Sequence, residues 1–420
     1  MENHHSGQAR QLVIQLGAAL IVVVLIIAVN LVLLAPPLRN RAEYLFLRLQ
    51  SEIKKLRPHA QYVPTPAPTA TTNASSGAAP ATPTPTYALA FTHTPTATPQ
   101  VVRQTATPLP TPTMLPSSVQ IENECHEPQG WNNCGPATLA MALRFYGWTG
   151  DQYAVAGDTK PDKNDKNVSP DEMIAYARAQ EGVEARMGVA ESTDVLKLLL
   201  SNGFPVVVET WFIPEPGDEM GHYRLLTGYD DKAQVYIAQD AYAGAHQELP
   251  YDELGAMWKV FNRVYVIVFP EARAGDLDRL LGDRTGPQMF ARALQVALDE
   301  IATSPDDRYA WFNAGSNYVG LGQYEEAAAA YDRARTLNLP WRMLWYQFGP
   351  FDAYLQVGRY QDVIALADAN LTVTPNLEES YYYRALARRA LGDQTGAAAD
   401  LEAALRYNPR FEAAREAQRE

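Results

Sequence analysis

Cysteine is scarce in this chain of 420 residues, in which only Cys125 and Cys134 occur. Two cysteines are too few for a disulfide scaffold, and they lack the paired Cys-x-x-Cys spacing that is typical of structural zinc sites. We therefore expect the cysteines to have a chemical role rather than a structural one.

Basic residues are in the minority, since 35 Lys and Arg stand against 48 Asp and Glu and give a net charge of -13. Nucleic-acid binding requires a basic face, and no cluster of Lys and Arg interleaved with aromatic residues occurs in the regions expected to fold. The chain also has no Gly-rich phosphate loop and no dinucleotide-binding fingerprint. We therefore predict no nucleic-acid partner, no cofactor and no bound metal.

Charged residues are missing altogether between Gln11 and Leu38. An apolar run of this length can span a bilayer, so we predict a transmembrane helix over residues 11–35 and a single-pass membrane protein. A cleaved secretory signal is the alternative, but the apolar run is longer than a signal core and no small-x-small cleavage site follows it. Residues 36–60 form a basic juxtamembrane segment, which either lies on anionic lipid as an amphipathic helix or is solvated.

Proline is unevenly spread, because 12 of the 30 prolines cluster between Pro64 and Pro116. Residues 61–117 are therefore predicted to be a Pro/Thr-rich linker, with a reach of about 100 Å or more if it is extended. Basic residues are more frequent after the apolar run than before it, which would keep the C-terminal part in the cytoplasm. The linker resembles the Thr/Pro stalks of cell-surface proteins. From that composition we predict that the C-terminal domains are extracytoplasmic.

Residues 118–272 have the composition of a globular domain. Helical patterns come first, in CGPATLAMALRFYG from Cys134, SPDEMIAYARAQEG from Ser169, and ESTDVLKLLLSNG. Four short runs rich in β-branched and aromatic residues follow, namely PVVVETWF, HYRLLTGYD, AQVYIAQD and RVYVIVF. This order predicts an α+β domain in which helices pack on an antiparallel sheet, rather than a doubly wound fold.

A repeat begins after the last of these runs. Gly322, Gly358 and Gly392 are spaced 36 and 34 residues apart, and each stands before a helical pattern rich in small residues. The units resemble tetratricopeptide repeats, and Trp311, Gly315 and other residues fall at the signature positions of the first unit. The resemblance implies an all-α solenoid over residues 287–420 that binds a protein partner.

Four residues of the globular domain form a candidate catalytic group. Cys134 begins a helix, whose N-terminal dipole lowers the pKa of a thiol. His222 heads one strand and Asp240 ends the next, so a hairpin would bring the carboxylate to the imidazole. Gln129 could donate its amide to an oxyanion, together with the backbone N–H of Cys134.

Two motifs, EPQGWNNCGPATLAMAL and GHYRLLTGYDDKAQVYIAQDAY, resemble those of the bacteriocin-processing, double-glycine-leader peptidases of cysteine peptidase family 39. The resemblance implies a papain-like fold that acts on peptide or protein substrates. It also implies that Cys134 is the nucleophile, His222 the base, Asp240 the orienting acid and Gln129 the oxyanion donor. Gln129 precedes the cysteine by five residues where six is common, and Asp240 is followed by Ala241 where the family often has proline.

Several interpretations of these residues remain open on the sequence alone. Cys125 and His126 could join Cys134 and His222 around a metal, or Cys125 could form a disulfide with Cys134. His246, in an expected loop, is the second choice of base. Trp211 and Phe212 could line a pocket, although core packing is more common for residues at a strand end. The domain could also be a catalytically silent scaffold, or a thiol acyl-transferase or amidase that uses the same residues.

Overall fold

The computed structural model describes residues 62–66, 115–122, 125–162, 164–165, 167–214 and 218–420. Residues 62–66 and 116–420 belong to one compact unit. The predicted transmembrane helix (11–35), the juxtamembrane segment (36–60) and most of the predicted linker (61–117) lie outside the described residues. Within the described ranges, no helix is long and apolar enough to cross a bilayer.

An antiparallel sheet forms the centre of the first domain. Its strands, within the described residues, are β1 (Ser118–Gln120), β2 (Val183–Val189), β3 (Val206–Phe212), β4 (Met220–Asp230), β5 (Val235–Asp240), β6 (Gly244–Pro250) and β7 (Val264–Pro270). They lie in the order β2-β7-β3-β4-β5-β6, and β1 pairs with the far end of β4. The register pairs Thr210 with His222 and Leu225 with Gln239. Asp240, at the end of β5, therefore lies beside the beginning of β4.

Helices cover both faces of this sheet. They are α1 (Cys134–Arg144), α2 (Gln152–Thr159), α3 (Pro170–Arg178), α4 (Asp194–Ser201), α5 (Tyr251–Lys259) and α6 (Ala274–Leu281). On one face Leu139 of α1 packs in the same core as Val207, and on the other Trp258 of α5 packs in the same core as Val208. Neighbouring residues of β3 thus point into different cores, as the two-residue period of a strand requires.

The predicted antiparallel sheet with packed helices is present, but the expected order of elements was incomplete. β2 lies between α3 and α4, and α5 separates β6 from β7. A Cβ atom on Gly188 would lie 2.2 Å from the ring of Tyr265, so the close approach of β7 requires glycine at this position of β2. A glycine weakens the pattern of β-branched and apolar residues by which a strand is recognised in a sequence. His246 was expected in a loop and lies in β6 instead.

The chain after α6 is helical and resembles a tetratricopeptide solenoid. Its helices are α7 (Gly286–Thr303), α8 (Arg308–Gly320), α9 (Tyr324–Thr336), α10 (Gly349–Gln356), α11 (Tyr360–Val373), α12 (Glu378–Ala390), α13 (Gln394–Tyr407) and α14 (Glu412–Arg419). Gly322, Gly358 and Gly392 have φ angles of 72°, 74° and 88°, which only glycine adopts freely. These three glycines form the turns between α8 and α9, α10 and α11, and α12 and α13.

The second repeat departs from the regular pattern. A 3-10 turn, Trp341–Trp345, precedes α10, which is shorter than the corresponding helices α8 and α12. Tyr331 of α9 is enclosed by two glycines: a Cβ on Gly315 would lie 2.7 Å from its ring, and one on Gly349 would lie 2.1 Å from its hydroxyl. One buried tyrosine thus explains why the first two units need a glycine early in their first helix.

The sheet domain and the repeats share a hydrophobic core. Trp211 and Phe261 of the sheet domain are buried in the same cluster as Phe351 of the repeats. Beside it, the side-chain amides of Asn262 and Asn317 exchange two hydrogen bonds of 2.9 and 3.0 Å. Because apolar burial and paired amides both hold this junction, the repeats pack as part of the folded unit.

Candidate active site

Cys134 is the first residue of α1, and its thiol is only partly buried. The amides of the first helical turn have no acceptor within the helix, so they give this end a partial positive charge. A thiolate at this position is therefore stabilised before any other side chain is considered.

His222 lies between the thiol and a carboxylate. Its side chain is almost fully buried, and its Nε2 lies 2.8 Å from Oδ1 of Asp240. The same imidazole interacts with the thiol of Cys134 and lowers the pKa of the thiol. Because Nε2 is bound to the carboxylate, Nδ1 is the nitrogen left to exchange a proton with sulfur.

Asp240 is surrounded by hydrogen-bond donors. Its Oδ1 also accepts from the backbone N–H of Tyr242 at 2.8 Å and of Ala243 at 3.0 Å. Its Oδ2 accepts from Nε of Arg224 at 2.8 Å. Arg224 stands two residues after His222, on the same face of β4, and it also donates to the hydroxyl of Thr210. Asp240 is thus held in one orientation with both oxygens satisfied.

The three groups shift each other's pKa values in the direction of a charged pair. Burial opposes ionisation of Cys134, but the hydrogen bond and charge of His222 outweigh it and lower the pKa of the thiol. Burial likewise disfavours a charged His222, but hydrogen bonds to Asp240 and Cys134 raise its pKa. Burial is also outweighed at Asp240, where His222 and Arg224 hold the pKa of the carboxyl well below its usual range. A thiolate beside an imidazolium is therefore favoured.

The loop before Cys134 is fastened by buried polar side chains. Oε1 of Gln152, at the start of α2, accepts from the backbone N–H of Gly130 and from Nδ2 of Asn133. Nε2 of Gln152 donates in turn to Glu127, at 2.8 Å, and to the carbonyl oxygen of Pro128, also at 2.8 Å. The backbone on either side of the candidate oxyanion donor is therefore fixed.

Gln129 itself lies in this loop, with its backbone N–H bound to the carbonyl oxygen of Ala241 at 2.8 Å. Its side-chain Oε1 is buried and has no hydrogen-bond partner within the described part of the chain. The bond to Ala241 places Gln129 beside the turn that follows Asp240. The backbone of Gln129 therefore lies near the candidate catalytic residues, and its side-chain oxygen makes no structural hydrogen bond within the described residues.

Lys160 is a charged residue beneath the same loop. Its side chain is almost fully buried and donates to the carbonyl oxygens of Trp131, at 3.3 Å, and Asn132, at 2.7 Å. Burial lowers the pKa of Lys160 to about 8, although the charge of Asp165 opposes this. Its ammonium group also contributes to the lowered pKa of Cys134. Lys160 thus supports the loop and adds positive charge near the sulfur.

Several carboxyl groups are buried where this region meets the repeats. Burial and the charge of Glu378 raise the pKa of Asp165 well above its ordinary value and that of Glu172 to about 8. Burial and the neighbouring carboxylates also raise the pKa of Glu379. Asn167 donates from Nδ2 to Glu379 at 2.9 Å, and so joins the region of Lys160 to α12. This junction holds more acid groups than it can keep ionised.

The repeats also contact the chain directly before His222. Arg342 donates from Nη1 to Oδ1 of Asp218 at 2.7 Å and to the carbonyl oxygen of Glu219 at 2.9 Å. The partly buried Tyr346 lies against the backbone of Gly221. A Cβ on Gly221 would come within 3.1 Å of the Tyr346 ring, so the close approach requires glycine there.

Aromatic rings cover the imidazole. The ring of Phe212 lies 4.9 Å from that of His222, and Tyr242 packs edge-on against Phe212 at 5.0 Å. Tyr242 is 54% exposed and forms the solvent side of this wall. Trp211, by contrast, is buried in the core shared with the repeats. The core interpretation therefore applies to Trp211, whereas Phe212 lies against the candidate base.

A metal site, a disulfide and a different base receive less support from the geometry. Cys125 and Cys134 are both free thiols, and burial raises the pKa of Cys125. His126 points Nε2 at the carbonyl oxygen of Asp240, 3.0 Å away. Within the described residues, no group of three or more His, Cys, Asp or Glu side chains is placed to hold a metal ion. His246 lies in β6, where its Nδ1 is 3.5 Å from Nε2 of Gln239.

The structure thus brings Cys134, His222 and Asp240 together and places Gln129 beside them. Sequence reasoning missed Arg224, Lys160 and Gln152. Arg224 carried a usable signal, because it lies two residues from His222 and so shares its face of the strand. Lys160 and Gln152 carried none, because their contacts depend on how α2 packs.

Comparison with known proteins agrees with this picture for the first domain. Residues 115–267 match the model of the Peptidase_C39 like family. No curated protein matches the chain.

Solved structures show only a distant likeness. A protein described as a C39-like peptidase from Bacillus anthracis is 17% identical, over 37% of this chain and 98% of that one, with a TM-score of 0.31. A double glycine motif protease from an AMS/PCAT transporter, solved with its leader peptide, is 21% identical over 36% and 94%, with a TM-score of 0.27. YrrB, a TPR protein with an unusual peptide-binding site, is 13% identical over 34% and 90%, with a TM-score of 0.20. Residues 115–267 are thus similar to the Peptidase_C39 like family, and helical repeats follow them in the chain.

Proposed function

We propose that this chain is a cysteine peptidase in which Cys134 is the nucleophile, His222 the general base and acid, and Asp240 the group that orients the imidazole. The observation that carries the proposal is the buried imidazole of His222, whose Nε2 lies 2.8 Å from the Asp240 carboxylate and whose charge lowers the pKa of the Cys134 thiol. An extended peptide is the proposed substrate, as the family of the domain suggests.

Acylation begins from the thiolate–imidazolium pair. The sulfur of Cys134 attacks the carbonyl carbon of the scissile peptide bond and forms a tetrahedral intermediate. His222 then gives the proton taken from the thiol to the leaving nitrogen, so the C–N bond breaks, the amine departs and a thioester remains on sulfur. Asp240 stabilises the imidazolium throughout.

Deacylation uses the same groups in reverse. His222 removes a proton from a water molecule, and the resulting hydroxide attacks the thioester carbonyl. The C–S bond then breaks and the carboxylic acid product leaves. The proton stays on His222, which restores the thiolate–imidazolium pair. During both steps the negative oxygen would be met by the side-chain amide of Gln129 and the backbone N–H of Cys134.

The repeats are proposed to form part of the catalytic unit. Arg342 and Tyr346 contact residues 218–221 on the His222 side, whereas Glu379 contacts Asn167 on the Cys134 side. A substrate must therefore approach between surfaces that both domains support. We also propose that the outer surface of the repeats binds a protein partner. Deletion of residues 287–420 should remove that partner from a pull-down, and full retention would contradict this assignment.

The peptidase proposal is tested by incubating the protein with a peptide library and identifying new termini by mass spectrometry. Wild type and Cys125→Ala should cleave the same bonds, whereas Cys134→Ala and His222→Ala should cleave none above background. Cys125→Ala is the matched control, because that thiol is buried outside the catalytic group. No cleavage by folded wild type would favour the scaffold. Products joined to an added amine, rather than to water, would favour an acyl-transferase.

We further propose that residues 11–35 anchor the protein in a membrane and that the folded unit is extracytoplasmic. This rests on the apolar run and on the Thr/Pro composition of residues 61–117. Protease treatment of intact cells should digest the folded unit from outside. Complete protection of that unit, with digestion only after lysis, would place it in the cytoplasm.

A further inference from the structure

A short segment at the start of the predicted linker packs on the repeats. We name residues 62–66 the docking strand. Tyr62 forms an antiparallel bridge with Pro340, and the N–H of Val63 donates to the carbonyl oxygen of Leu339 at 2.9 Å. Val63 is 3% exposed and belongs to the core of the repeats. The contact therefore combines backbone pairing with the burial of one apolar side chain.

The docking strand also satisfies a buried charge. Arg335 of α9 is 2% exposed, and its Nε donates to the carbonyl oxygen of Pro64 at 2.7 Å. The other side of its guanidinium is held by Asp362 at 3.0 Å. Buried donors need acceptors, so the fixed guanidinium and the Leu339 carbonyl form a site that remains incomplete without a peptide backbone beside them.

The chemistry of this site defines what it can bind. The site contacts one buried β-branched side chain, that of Val63, and the carbonyl oxygen of the proline that follows it, whereas Tyr62 and Thr65 are exposed. Proline at position 64 is favourable, because it has no N–H to satisfy and it holds the backbone extended. The site thus suits an extended apolar-Pro segment and selects weakly for the residues on either side.

We infer that the site formed by Arg335, Leu339 and Pro340 is a peptide-docking site occupied in cis by the docking strand. The N-terminal region of the chain is then attached to the repeats, and residues 67–115 connect two points of one folded unit.

Disulfide trapping in the full chain tests this inference. In a background of Cys125→Ala and Cys134→Ala, the pair Tyr62→Cys and Pro340→Cys should cross-link within one molecule on mild oxidation. Bridged antiparallel residues have Cα atoms about 4.5 to 5.5 Å apart, within reach of a disulfide. The control pair Thr65→Cys and Pro340→Cys should not, because three extended residues add about 10 Å.

Adding Val63→Asp to the first pair should lower the equilibrium constant for docking at least about tenfold and so slow the cross-linking, because fully burying a valine is worth more than the 1.4 kcal/mol that corresponds to that factor. Cross-linked dimers in place of monomers would overturn docking in cis. Absence of any cross-link in a folded protein would overturn the docking strand itself.

Hydrogen exchange on the wild-type chain gives an independent measurement that needs no substitution at Pro340. The N–H of Val63, bound to Leu339, should exchange more slowly than its intrinsic rate, whereas the exposed Thr65 should exchange near its own intrinsic rate. Exchange of Val63 as fast as that of an unstructured peptide would overturn the inference, whatever the cross-linking shows.

Discussion

Replacing Glu172 with glutamine should make the folded unit more resistant to alkaline pH. Glu172 lies in the first turn of α3 and accepts from the backbone N–H of Ser169 at 2.8 Å. Its other oxygen faces Nδ2 of Asn408, 3.4 Å away. Glutamine, like protonated glutamic acid, offers one oxygen acceptor for the Ser169 bond and one donor, and it cannot ionise. The substitution therefore isolates the effect of ionisation at the junction with the repeats.

The magnitude follows from the shifted pKa. Burial, followed by the charge of Glu378, raises the pKa of Glu172 from 4.5 to about 8 in the folded protein. The folded state thus binds more protons than the unfolded state between these values. The stabilising contribution is fully present below pH 4.5 and is lost as the pH rises through 8. The difference of about 3.5 between the pKa of Glu172 in the folded and in the unfolded protein corresponds to about 5 kcal/mol of unfolding free energy. This is an upper limit, because the proton is shared with Glu378 and Glu379.

Thermal unfolding at pH 5 and pH 9 measures the effect. Glu172→Gln should match wild type at pH 5 and unfold at a higher temperature at pH 9, by up to about 10 °C at roughly 2 °C per kcal/mol for a unit of this size. The exposed Glu181→Gln is the charge-matched control and should follow wild type at both pH values. If Glu172→Gln loses as much stability as wild type between the two pH values, the reasoning about the buried carboxyl cluster is refuted.

Three further predictions concern the support of the site. Gln129→Ala should lower kcat for peptide cleavage by about 10² to 10³ without changing the alkylation of Cys134, and an unchanged kcat would remove Gln129 from the oxyanion site. Lys160→Met should raise the pKa of Cys134 and slow its alkylation at pH 6 by up to about tenfold, the ratio for one pKa unit; equal rates would show that the ammonium does not act on the thiol. Arg342→Ala loses two contacts to residues 218–219, so kcat should fall while the fold persists by circular dichroism, and wild-type kcat would argue against support by the repeats.

The proximity of His222 and Asp240 was predictable because its signals are local. A cysteine at a helix start and a histidine and an aspartate on adjacent strands can be recognised from periodicity and order alone. The repeats were predictable for a similar reason, since the glycines between paired helices recur at a nearly constant interval. His222 and Asp240 lie 18 residues apart, and Cys134 is recognised separately, from the start of its own helix.

The supporting contacts were not predictable because they join distant parts of the sequence. Arg342 reaches Asp218 across 124 residues, and Arg335 reaches Pro64 across 271. A buried lysine such as Lys160 reads in the sequence as an ordinary surface residue, since lysine is almost never fully buried without partners. The partners of Lys160 are backbone carbonyl groups. Every residue has one, so the sequence does not show which of them accept these hydrogen bonds.

Activation of Cys134 by His222 can be measured through the pH dependence of alkylation by iodoacetamide. The measurement compares wild type, Cys134→Ala, His222→Ala and Cys125→Ala, with the labelled cysteine identified by mass spectrometry. We predict that Cys134 reacts at a pH well below that of an ordinary thiol, that His222→Ala loses this reactivity and that Cys125→Ala retains it. A wild-type Cys134 that reacts with the pH profile of a free thiol, or with the same profile in His222→Ala, would contradict the account.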